Sequence, residues 1–179
     1  MPNKSQAALG KQIQEALIRE LGDTTDSYPF NLSRVYVRNN EAFQRTVALA
    51  TYAFSTEKNT RYDVRIRYQW NESPFASLQF QANAGGWSQT INEGSMFRVM
   101  ATVLQCASDF WERRRKILMQ NGDDITLDIV DRLEGFKFDI SNTRDPESTS
   151  RFKLYQTFIN HQFPSARIFI EEGDVFITP

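Results

Sequence analysis

Catalytic and metal sites need clustered ligands, or a nucleophile held beside a base. This chain of 179 residues has one histidine and one cysteine to offer. His161 lies near the end of an expected helix with no Cys or acidic motif beside it, so a helix-end histidine is the better reading. Cys106 falls on the apolar stripe of a long helix, where a small buried residue is expected rather than a reactive thiol. A single cysteine also excludes an intramolecular disulfide and a Cys-based metal cluster. Carboxylates gather towards the C-terminus at Asp123, Asp124, Asp128, Asp131, Glu134 and Asp139. A magnesium-dependent nuclease would use two or three of them with a lysine, and Lys137 shares the strand parity of Asp139. Their spacing fits a solvated acidic face better. The glycines of "NAGGWSQTINEG" lack the Lys-Ser/Thr that reaches a phosphate, and G-x-G-x-x-G does not occur.

Two basic features remain. In "RYDVRIRYQW" (61–70), Tyr62, Val64, Ile66, Tyr68 and Trp70 take one parity and Arg61, Asp63, Arg65, Arg67 and Gln69 the other. A strand sends alternate side chains to opposite faces, so three guanidinium groups share one side. Arginine suits bidentate contact with phosphate or carboxylate. An antiparallel sheet with one wet face carries such charges routinely, however, and Asp63 offsets part of the row. In "ERRRK" (112–116), Arg113, Arg114, Arg115 and Lys116 splay around a helix and complement its C-terminal dipole. Arg151 and Lys153, near a helix start, are further candidates for an anion.

The elements that would carry these residues follow from periodicity. Residues 1–22 read as an N-terminal amphipathic helix through Ile13, Ala16, Leu17 and Leu21, and 23–42, with Pro29, as a linker or loop. An α+β domain occupies 43–179. Residues 45–56, 61–70 and 76–84 are expected as successive antiparallel strands, with turns at "EKN" and "NESP"; the frequent alanines leave 43–54 open to a helix as well. A long helix follows on Met96, Val99, Met100, Val103, Cys106, Ala107, Phe110 and Ile117, capped by Ser95 and ended by Gly122. Residues 123–135 fit a short helix or a strand, 136–141 a strand, 147–163 a helix, and the terminal residues a hairpin turning at Glu172-Gly173-Asp174. The expected fold is a single, mainly antiparallel sheet covered on one face by two main helices.

Charge bounds the function. The formal net charge is −1, which speaks against a globally basic nucleic-acid binder. The middle third is mildly basic and the last third acidic. The first residues lack the apolar core of a signal peptide and no run reaches the length of a membrane span, so a cytoplasmic protein is expected.

Two stretches carry a resemblance. "WSQTINEGSMFRVMATVLQCASDF" (87–110) has an aromatic-x-x-Thr, then Gly, then a helix with Val-x-x-Thr-Val; "ESTSRFKLYQTFI" (147–159) has Ser-Arg-x-x-Leu-Tyr ahead of a strand pair. With the "TYAF" and "YDVRI" strands before them, this order is similar to small bacteriophage-encoded α+β proteins of unassigned function. The matching positions are Trp87, Thr90, Gly94, Val99, Thr102, Val103, Ser150, Arg151, Leu154 and Tyr155, and the insert at 119–135 departs from the pattern. The resemblance implies a viral origin and the host cytoplasm.

The leading expectation is a non-enzymatic phage accessory protein that binds a host macromolecule, foremost a host protein, in takeover or counter-defence. The alternative is a nucleic-acid-binding protein using Arg61, Arg65, Arg67 and the 113–116 cluster. A second alternative is a metal-dependent enzyme on phosphate-containing substrates. No catalytic residue, metal ligand or cofactor is assigned. Trp70 and Trp87, beside strand edges, would also suit a homodimer.

Overall fold

Four strands follow one another in a meander: β1 (Phe30–Asn40), β2 (Arg45–Ser55), β3 (Arg61–Tyr68) and β4 (Phe75–Ala82). They belong to a computed structural model that describes residues 27–40, 45–83, 96–122, 125–139 and 156–179. The expected N-terminal helix at 1–22 lies outside those residues. After β4 come the long helix α1 (Met96–Asn121), the short helix α2 (Leu127–Asp131), β5 (Gly135–Asp139), a helical segment α3 at 156–162, and the hairpin of β6 (Arg167–Glu171) and β7 (Asp174–Thr178). All seven strands join one sheet in the order β1-β2-β3-β4-β5-β7-β6. The β4–β5 pairing is parallel and the others are antiparallel, so the sheet is mixed. This is a single α+β domain.

β3 realises the alternation of its sequence: Tyr62, Val64, Ile66 and Tyr68 are buried while Arg61 and Arg67 are exposed. The alternation ends sooner than the sequence suggests. Gln69 is buried although it shares the parity of the arginines, and Trp70 sits in the following turn with its ring 5.7 Å from that of Tyr68. β2 is a strand and not a helix. Ala48, Ala50, Tyr52 and Phe54 take its buried side. The turn between β2 and β3 is closed by the Thr56 amide donating to the Thr60 carbonyl at 3.0 Å, with Asn59 at a φ of 60° that asparagine tolerates.

The segment read as a linker at 23–42 needs correction, because β1 occupies 30–40. Its pairing with β2 shifts between Leu32 and Arg34, leaving Ser33 as an extra residue. Such a bulge reverses the side-chain phase. Phe30 and Leu32 stand opposite Phe54 and Tyr52; beyond the bulge Val35 and Val37 stand opposite Ala50 and Ala48. Apolar side chains therefore reach the core from even positions first and odd positions afterwards.

The helices cover one face of the sheet. Val99, Met100, Val103, Cys106, Ala107, Phe110 and Ile117 of α1 are buried, as their spacing requires, and Phe158, Ile159 and Phe163 join the same core. Thr102 ties α1 to the chain entering β1. Its hydroxyl donates back to the Arg98 carbonyl at 2.7 Å and accepts from the Tyr28 amide at 2.9 Å. The Tyr28 ring stacks on Phe54, and Phe54 on Tyr62, at 5.8 and 5.2 Å. Residues 123–135, ambiguous in sequence, contain α2.

At the far end of the sheet, β5 and β7 approach closely over Gly135. A Cβ there would stand 1.9 Å from the Ile177 carbonyl oxygen. The β6–β7 hairpin turns through Glu172 and Gly173, both at positive φ (51° and 87°), which matches the twist of a two-residue hairpin loop. Among the described residues no helix is long and apolar enough to cross a membrane.

Candidate binding face

Cross-strand partners point to the same side of a sheet, so the register assembles the face opposite the helices. One row runs Arg34–Thr51–Arg65–Gln79 across β1 to β4. The next runs Tyr36–Leu49–Arg67–Ser77, continues through the parallel pair to Lys137, and ends at Phe176 and Phe169. Arg38 stands opposite Val47, and Arg61 opposite Ser55. Among the described side chains of β1 to β4, this face carries Arg34, Arg38, Arg61, Arg65 and Arg67 against one carboxylate, Asp63.

The arginines are held to different degrees. Arg61 Nε lies 3.4 Å from Asp63 Oδ1 in an exposed pair, a contact that contributes little to stability. Arg67 Nη2 donates to Gln69 Oε1 at 3.0 Å, which keeps the Gln69 amide on the arginine side of the sheet. The Arg34 guanidinium carbon lies 5.1 Å from the centre of the Tyr36 ring, a cation–π contact between neighbours on the same side of β1. Between the charges lie neutral Thr51, Gln79 and Ser77, which donate or accept hydrogen bonds without repelling an anion.

The β5-β7-β6 end of the face is aromatic. Phe169 and Phe176 stack in parallel at 4.8 Å, and Phe75 meets Phe176 edge-on at 4.9 Å. Phe169 remains 41% exposed and Tyr36 37%, so exposed rings stand at both ends of the Tyr36–Phe169 row. With strands about 4.8 Å apart, six strand spacings make that row roughly 29 Å long.

The second basic feature lies elsewhere. Arg113, Arg114, Arg115 and Lys116 belong to α1, which covers the buried side of the sheet, so they are not continuous with Arg61, Arg65 and Arg67. Arg113 pairs with Asp109 one turn earlier, and Arg115 Nη2 lies 3.0 Å from Asp131 Oδ1. Arg114 stacks over the Trp111 ring at 4.0 Å and donates to the Trp111 carbonyl. Burial depresses its pKa. Lys116 is exposed. Structural contacts thus engage three of the four. Arg151 and Lys153 lie outside the described residues.

Of the groups considered for catalysis, Asp123 and Asp124 lie outside the described residues, and Asp131 and Glu134 line one open recess. Cys106 is fully buried; burial, aided by the nearby Asp109 charge, pushes its thiol pKa up. His161 is exposed near the end of α3. Among the described residues no three His, Cys, Asp or Glu side chains gather as metal ligands. An open recess of about 330 Å³ is lined by Trp70, Glu72, Pro74, Asp131, Arg132 and Glu134, at the small end of the range for ligand pockets.

Sequence reasoning missed Arg34, Tyr36 and Arg38. The signal was present in "RVYVR" (34–38), which alternates as 61–68 does, but Pro29 and the bulge at Ser33 conceal the strand. No family model, curated protein or solved structure matches the chain.

Proposed function

We propose that this chain is a bacteriophage accessory protein that acts by binding rather than catalysis, engaging a host macromolecule in the host cytoplasm through the face of its sheet opposite the described helices. The viral origin rests on the resemblance at 87–110 and 147–159. The observation that carries the binding reading is the register of β1, β2 and β3, which gathers Arg34, Arg38, Arg61, Arg65 and Arg67 on one face, with Asp63 the one carboxylate among the described side chains of these strands there. On a chain of net charge −1, this concentration of arginine is local. A surface of that kind steers and orients an anionic partner.

The test is capture from bacterial lysate by the full chain, by Arg65→Glu/Arg67→Glu, and by Lys116→Glu on the helical side. The expected result is a retained macromolecule, protein or nucleic acid, that is lost with the sheet variant and kept with the helix variant. Equal retention by all three proteins would overturn the assignment of the face, as would a blank with the unaltered chain.

A further inference from the structure

We infer that the occupant of this face is a single-stranded nucleic acid, with phosphates on the arginines of β1 and β3 and bases stacked on the exposed rings at the ends of the row. The inference rests on the binding reading above and names its partner.

Three observations lead to it. Guanidinium groups present planar forks of donors that match phosphate oxygens, and here they recur on alternate strands, Arg34 and Arg65 in one row and Arg67 in the next. Thr51, Gln79 and Ser77, between and beside them, are the side chains that commonly supplement phosphate and sugar contacts. The rings supply the second element. A protein partner could satisfy arginines alone, but the Tyr36–Phe169 row places Arg67 and Lys137 between aromatic ends. Asp174 and Glu171 in the neighbouring row leave the phosphate contacts to the β1–β3 arginines and the rings to the bases. Phe169 is fixed by its parallel stack on Phe176 and remains 41% exposed. A base added there would extend an existing stack. Stacking on a π-face accepts any base, which suits binding without sequence preference.

The shape of the face selects single strands. Duplex bases are already stacked and are read by a helix or ribbon entering a groove. A broad sheet surface instead receives bases that are splayed out. A row of roughly 29 Å accommodates a segment of several nucleotides.

Fluorescence anisotropy with a labelled oligothymidylate of about twenty nucleotides, and with a duplex of the same length, tests the inference. The expected result at about 50 mM salt is binding of the single strand in preference to the duplex, weakening steeply by about 200 mM. Phe169→Ala and Tyr36→Ala, both exposed positions, should each weaken binding by about 5- to 100-fold with little change in salt dependence. Arg65→Gln should lower the slope of log affinity against log salt by about 0.7, the value for one phosphate on a single strand. Lys116→Gln should leave both readouts unchanged. Absence of oligothymidylate binding at about 50 mM salt would overturn the inference, as would equal binding of duplex with both ring variants neutral. Nuclease-resistant capture from lysate that still depends on Arg65 and Arg67 would reveal a protein partner. That result would overturn the nucleic-acid inference and leave the binding face standing.

Discussion

Tyr28 and Thr102, seventy-four residues apart, are joined by a buried hydrogen bond in which the Tyr28 amide donates to the Thr102 hydroxyl at 2.9 Å. The same hydroxyl donates to the Arg98 carbonyl, so one oxygen satisfies a strand-entry amide and anchors itself to α1. Thr102→Val keeps the shape and leaves the amide without its partner. The expected loss is about 1–3 kcal/mol in urea unfolding, with Thr102→Ser recovering most of it. A midpoint unchanged in Thr102→Val would show that the link is dispensable.

Two buried phenols make stability fall at high pH. Burial raises the pKa of Tyr68 to about 12, against a modest opposing effect of Arg132, and its hydroxyl donates to the Ile129 carbonyl at 2.9 Å. Burial and the hydrogen bond to Asp109 raise Tyr52 further. Unfolding returns each phenol to its ordinary value near 10.0. The native state therefore holds its protons more tightly than the unfolded chain. The contribution is intact below pH 10 and is lost as pH rises, for Tyr68 between 10 and about 12. Denaturant midpoints measured across that interval should decline, and Tyr68→Phe should flatten the decline.

Gly135 cannot accept a side chain without displacing β7, because the clash is with backbone rather than with a flexible side chain. Gly135→Ala is expected to cost about 3 kcal/mol, the upper part of the usual overpacking range. The nearest atoms to a Cβ at Gly122 belong to the Val37 side chain, at 3.0–3.1 Å, so Gly122→Ala should cost less. Comparable melting temperatures for the two variants would contradict this contrast.

Cys106 should react slowly with thiol reagents in the native protein and rapidly in denaturant, since it is fully buried and burial keeps it protonated. A stoichiometric native reaction within the time needed for an exposed thiol would show that α1 detaches readily from the sheet.

Strict alternation made β3 legible from its residues alone, and with it the side on which Arg61, Arg65 and Arg67 lie. The stripe of α1 was equally readable, since every apolar position from Val99 to Phe110 that it required is buried. β1 was not. Its inward residues Phe30, Leu32, Val35 and Val37 follow neither a period of 2 nor one of 3.6, because Ser33 interrupts the phase. Two of the five arginines of that surface, Arg34 and Arg38, were hidden with it. The parallel β4–β5 pair was also invisible, because Ser77 and Lys137 are brought together by tertiary packing and no local turn signals their contact. The helical cations were expected to be solvated or to complement the helix dipole, but α1 runs on to Asn121 with no basic residue in its last turn, so the dipole reading needs correction. Their partners are set by tertiary packing as well as by helix spacing: Asp131, sixteen residues from Arg115, cannot be inferred from the helix alone.

The short β4–β5 junction divides the sheet into two pieces by assembly order. β1 to β4 pair with neighbours in the chain, and β6 with β7, whereas Phe75 must find Gly135 across the whole of α1 and α2. Short-range closures form fast and long-range ones slowly. The junction is also narrow, three residue pairs against eight between β2 and β3, so it is expected to close last and to open first. Amide exchange faster at the junction than within the β2–β3 ladder would reveal that order. The row from Tyr36 to Phe169 exists as one surface only while this seam is shut, so its two ends share one face only once the chain has finished folding.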